Sequence, residues 1–176
     1  MKINSKYRQQ GAETLEFALV AVFYFALLFG VFEFARALYT WNVLTEATRR
    51  GARLAAVCPY NSPIPLNVAV FDDFAGTLGT SPVVKGLTAA KVTARYLNDL
   101  GAVVDIAGGE LESEIKFVEV TITHQHQMLF TGLFSLFVPD WTGTLNSPTF
   151  QTTLPAESLG ADPTFSPPAL PVSCNF

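Results

Sequence analysis

The chain first changes its pattern of apolar and polar positions near residue 40, and that change divides the long helix it predicts. Residues 17–32 read FALVAVFYFALLFGVF, apolar on every side and free of charge and proline. Such a run suits a helix surrounded by lipid, because no face is reserved for water. From Leu38 onward the pattern becomes one-sided. Leu38, Trp41, Leu44, Thr48, Ala52 and Ala55 recur at helical spacing, with Glu46, Arg49, Arg50 and Arg53 beside them. No proline interrupts residues 12–57, so one helix of about 70 Å is expected, its first half in lipid and its second half amphipathic. Pro59 stops it, and Pro63 and Pro65 keep the next stretch extended.

Further on the period changes again. Leu66, Val70, Phe74 and Leu78 are four apart, which predicts a short helix over 65–78. Residues 89–97 alternate, with Val92, Ala94 and Tyr96 on one face and Lys91, Thr93 and Arg95 on the other. That alternation predicts a half-buried strand. A second strand is expected over 115–124, with Val118, Val120 and Ile122 inward, and a third over 149–154. Residues 128–137 (MLFTGLFSLF) carry more apolar side chains than one buried helix face can hold; they suit either core or contact with a partner subunit or the bilayer. Residues 155–176 are rich in proline and read as an extended tail. The fold class is therefore α+β: a long membrane-spanning helix whose amphipathic half packs on a small antiparallel sheet. The expected divisions are a leader over 1–11, the long helix over 12–57 with its anchor at about 17–39, an α+β domain over 58–154, and the tail over 155–176.

Composition adds little except exclusions. The net charge is −4, so nucleic acid is not an expected partner. Lys2, Lys6 and Arg8 precede the apolar run, while Arg36, Arg49, Arg50 and Arg53 follow it, so charge alone orients the span weakly. The two cysteines, Cys58 and Cys174, are a candidate disulfide in an oxidising compartment; two unpaired thiols are the alternative.

Candidate chemistry is sparse. There is no Walker loop, dinucleotide fingerprint or nucleophile elbow, and no enzyme, cofactor or catalytic residue is expected. His124 and His126 alternate as two metal ligands could, but no cysteine or carboxylate stands at ligand spacing beside them. They read as a solvated strand end, and no metal is expected. Glu33 and Arg36 share a helix face; they either pair with each other at the membrane edge or make a polar contact with another helix. Ala35-Arg36-Ala37 also fits an ordinary secretory cleavage site, which would make the chain an extracytoplasmic binding or accessory domain. The acidic residues on both sides of the apolar run argue against that.

Most of the functional information lies in Gly11-Ala12-Glu13-Thr14-Leu15-Glu16-Phe17, between the basic stretch and the apolar run. A carboxylate there is out of place: on insertion scales it costs about 2.5–3.5 kcal/mol at the membrane centre. The arrangement resembles the class III signal of type IV pilin-like proteins. The following segments, Gly30-Val31-Phe32-Glu33-Phe34-Ala35-Arg36-Ala37 and Leu44-Thr45-Glu46-Ala47-Thr48-Arg49-Arg50-Gly51, resemble TadE-like proteins, minor pilins or pseudopilins of the tight-adherence (Flp-type) pilus system. The resemblance covers residues 8–57. It implies cleavage after Gly11 by a prepilin peptidase, Ala12 as the first mature residue, and an assembly role for Glu16 and Phe17, with Glu16 meeting a freed N-terminus. It also implies an inner-membrane protein with its C-terminal domain in the periplasm. The partners it implies are a TadF-like minor pilin, other pilins and inner-membrane pilus assembly proteins, with a role in pilus assembly and adhesion.

Overall fold

In a computed structural model the chain is described over residues 6–106, 108, 109, 111–130, 140, 143–159 and 174, with the backbone alone at 6–10. Its first element, α1, runs unbroken over Lys6–Val57. It therefore begins before Gly11, where residues 6–11 contain no proline to stop it. The chain divides into two compact units: Met1–Tyr39 with His126–Leu145, and Thr40–Gln125 with Asn146–Phe176.

The second unit holds the sheet. β1 (Val92–Leu97), β2 (Phe117–Ile122) and a later strand (Phe150–Pro155) form an antiparallel sheet with β2 in the middle. The register aligns Ala94 with Val120 on one side of β2 and Thr152 with Val120 on the other. Alternation therefore brings Val118, Val120 and Ile122 to one face, and all three are fully buried. The amphipathic stretch of α1 packs in the same core through Leu44, Ala47, Ala52 and Ala55. Small residues let the backbones approach closely. A Cβ added at Gly51 would lie 2.9 Å from the Ala69 Cβ and 3.2 Å from a Val120 methyl. A polar link joins the same elements, where the Thr152 hydroxyl meets the Thr48 hydroxyl at 2.9 Å.

The end of α1 is closed by chain that the sequence suggested was only tail. The amide of Glu157 donates to the Ala56 carbonyl at 3.0 Å, and the Ser158 hydroxyl donates to the Val57 carbonyl at 3.3 Å. These contacts satisfy carbonyls that a helix end leaves without internal partners. Beside them Cys58 is joined to Cys174 by a disulfide, with their Cα atoms 5.6 Å apart. Of the remaining tail, residues 160–173, 175 and 176 lie outside the described residues.

The helix expected over 65–78 is much shorter. It is α2, Ile64–Ala69. Phe71 adopts φ 62°, left-handed backbone that ends the helix. Asp72 and Asp73 then hold the following loop: Asp73 accepts the Thr77 amide at 2.8 Å and Asp72 accepts the Gly79 amide at 2.9 Å. Of the four-residue pattern only Val70 is fully buried, while Phe74 and Leu78 are exposed. Two 3-10 turns, Ala89–Lys91 and Glu112–Glu114, and two short strands complete the described elements. β3 (Gln125–Gln127) pairs with β4 (Thr144–Asn146), and the later strand of the main sheet is β5 (Phe150–Pro155).

Candidate functional site

Two groups of residues on the first half of α1 carry the polar chemistry of the first unit. The earlier group is Gly11, Ala12, Glu16 and Phe17. All of residues 11–20 are exposed, and Phe17 is 74% exposed. Glu16 makes no hydrogen bond or ion pair among the described residues. Gly11 is helical, and a Cβ built on it would meet nothing within 4 Å. Glycine is unfavourable in a helix interior by about 1 kcal/mol relative to alanine. Nothing in this fold requires glycine at that position, in contrast to Gly51.

The aliphatic and aromatic residues that follow are just as open. Leu19, Val20, Phe23, Tyr24, Leu27, Val31, Phe32 and Phe34 are all exposed. An unpaired run of this size is unusual on a water-soluble surface and ordinary against lipid. By length and composition α1 can cross a membrane.

The second group centres on Glu33. Its carboxylate is almost completely buried, at 1% exposure. A buried carboxylate is costly unless its oxygens are all engaged. Here Arg36, one turn on, donates through Nη1 to Oε2 at 2.9 Å and to Oε1 at 3.1 Å. The amides of Leu129 and Phe130 donate to Oε1 at 2.6 and 3.2 Å. His126 Nε2 stands 3.8 Å from Oε2. Aromatic packing continues the contact. The Phe130 ring lies 4.5 Å from Phe29, nearly parallel, and meets Phe32 edge-on at 6.2 Å.

Glu33 and Arg36 therefore do pair, and the carboxylate also clasps a distant segment of its own chain. That second role was not readable from sequence. The single available signal was an acid at the edge of an apolar run with one cation nearby, leaving acceptor capacity to be filled. The reading of His124 and His126 as a solvated strand end is overturned. Both are buried, at 7% and 4% exposure. Burial, with the Arg36 charge added, holds the His126 imidazole below the usual histidine range, and the Glu33 carboxylate opposes that shift. Among the described residues no group of three or more His, Cys, Asp or Glu is arranged to hold a metal.

The segment 128–137 is described only as far as Phe130; residues 131–137 lie outside the described residues. Within the described part, Leu129 is 61% exposed.

A search of the curated proteins and of the solved structures found no match to the chain. The model of the family described as TadE-like protein matches residues 11–53. That span begins at the unexplained glycine and takes in Glu16, the exposed apolar run, the Glu33–Arg36 pair and Gly51. It leaves the sheet outside the match. Over residues 11–53 the chain is similar to the TadE-like family, which relates that segment to the Tad pilus system.

Proposed function

We propose that this chain is a minor pilin or pseudopilin, cut after Gly11 by a prepilin peptidase and acting in Tad/Flp pilus assembly and adhesion. It is a structural component and a peptidase substrate, not an enzyme. Residues 1–11 are the leader, α1 anchors the protein in the inner membrane, and the sheet-bearing unit stands in the periplasm. Its partners are other pilins, a TadF-like minor pilin among them, and the inner-membrane assembly proteins.

The observation that carries this reading is Gly11. It lies in a helix, where glycine is unfavourable, with open space around it. A requirement from outside the chain accounts for a glycine there. A peptidase that has to bring its catalytic groups against a helical backbone supplies such a demand, because a missing side chain permits close approach.

Cleavage there explains Glu16. The new ammonium group would sit on Ala12, one helical turn before Glu16 and on the same face. In an apolar medium each charge needs a partner, and a neighbouring subunit can offer the complementary one. Such a pair contributes more to register than to net stability. Helices whose exposed apolar faces bundle sideways would otherwise slide along one another.

Replacing Glu16 tests this. Glu16→Ala should leave the protein in the membrane fraction, since the helix becomes more apolar. Pilus production, or capture of partner pilins, should fall. Glu16→Gln, which keeps the shape without the charge, should fall nearly as far. Wild-type pili from both variants would remove the assembly role from Glu16.

A further inference from the structure

We infer that the bend at residues 128–130, directly after β3 and bearing the exposed Leu129, is a second membrane contact that enters the acyl region of the bilayer beside α1. The inference rests on reading α1 as a membrane anchor. Phe17 begins the apolar run, and Glu33 follows it by about 24 Å at 1.5 Å per residue. The hydrocarbon core of a bilayer is about 30 Å thick. Glu33 and whatever it binds therefore stand just inside the far boundary of the hydrocarbon.

What Glu33 binds is backbone. The amides of Leu129 and Phe130 both end on its Oε1. At the edge of a water-exposed domain, two such amides would be satisfied by solvent and would not require a buried carboxylate. In hydrocarbon no water is present, and irregular backbone is tolerated only where its polar groups are met internally. Glu33 meets them. Arg36 neutralises the carboxylate from one turn on, where its guanidinium is part-exposed. The side chains fit the same surroundings. Leu129 is exposed, and Phe130 extends the aromatic surface of Phe29 and Phe32 on the lipid-facing helix. The surface of the bend is thus continuous with the exposed surface of α1, and lipid acyl chains are the occupant that suits both.

The test places a label at Leu129. Leu129→Cys carries an environment-sensitive nitrobenzoxadiazole dye, in the full chain with Cys58 and Cys174 kept oxidised, in phosphatidylethanolamine–phosphatidylglycerol vesicles. Labels at Phe23→Cys, in the anchor, and Leu100→Cys, 87% exposed in the sheet-bearing unit, give the two limits. The Leu129 label should be quenched by lipids with a doxyl group on the acyl chain. Its quenching by aqueous iodide should be several-fold weaker than that of the Leu100 label. Equal iodide quenching at 129 and 100, with the Phe23 label shielded, would overturn the inference and leave the anchor standing. An iodide-accessible Phe23 label would remove the anchor reading, and this inference with it. Shielding at 129 that disappears when the protein is diluted with excess lipid would assign Leu129 to contact with a second copy of the chain and overturn the lipid contact. Adding Glu33→Leu should expose the Leu129 label while leaving the Phe23 label shielded; Glu33→Gln, which keeps an acceptor oxygen, should expose it less. Unchanged shielding with Glu33→Leu would show that the carboxylate does not position the bend.

Discussion

One helix contains two different solutions to the same problem of covering apolar residues. From Thr40 onward α1 covers them with its own chain: Leu44, Ala47, Ala52 and Ala55 are fully buried, and Gly51 is required by the neighbours its Cβ would strike. From Gly11 to Phe34 it leaves most of them open, and its glycine has no steric reason within the fold. The difference shows which residues the fold itself needs and which answer to something outside it. A leucine at 44 reports on folding. In the proposed function, a glycine at 11, a glutamate at 16 or an exposed leucine at 19 reports on lipid, a peptidase or other subunits.

Variants in the two halves should therefore separate cleanly. The largest stability effect belongs to the cross-link in the sheet-bearing unit. Cys58 and Cys174 are separated by 116 residues, and in the chain-entropy model a loop of that size is worth up to about 4–5 kcal/mol. The double variant Cys58→Ser/Cys174→Ser should lose a large part of that in urea unfolding of detergent-solubilised protein. Peptide mapping without reductant should give a linked peptide from the wild type, lost on reduction.

Next is Leu44→Ala, which removes a fully buried side chain and should cost about 2–5 kcal/mol. Leu19→Ala, with 56% of the residue exposed, should leave unfolding of the sheet-bearing unit unchanged. A comparable loss from both would mean that the two halves of α1 are covered in the same way. Gly51→Leu should cost about 1–3 kcal/mol by overpacking against Ala69 and Val120. Gly11→Leu should cost nothing in unfolding.

Some of this was legible in the sequence. The unbroken apolar run, the alternation at Val92–Tyr96 and at Val118–Ile122, and the stop at Pro59 are local patterns, and local patterns place elements well. The third strand was also visible, though nothing in its residues announced that it would lie against β2 rather than at the other edge of the sheet. The extent of α2 was not legible. A four-residue repeat continues to Leu78, but the left-handed Phe71 and the Asp72–Asp73 loop end the helix first. The Glu33 contacts were hidden for a different reason. They join residues separated by 96 and 97 positions and use backbone amides, which carry no sequence signature. The two histidines were misread on the same ground, because alternation gives a strand face but not what covers it.

The central claim is that the first half of α1, from Gly11 onward, is shaped for handling by other proteins. Intact mass of the protein recovered from membranes of piliated cells tests it most directly. The account predicts a chain beginning at Ala12, and an uncut chain in Gly11→Leu that still folds with wild-type stability. A mature chain that keeps residues 1–11, one that begins after Ala37, or normal processing of Gly11→Leu would contradict it.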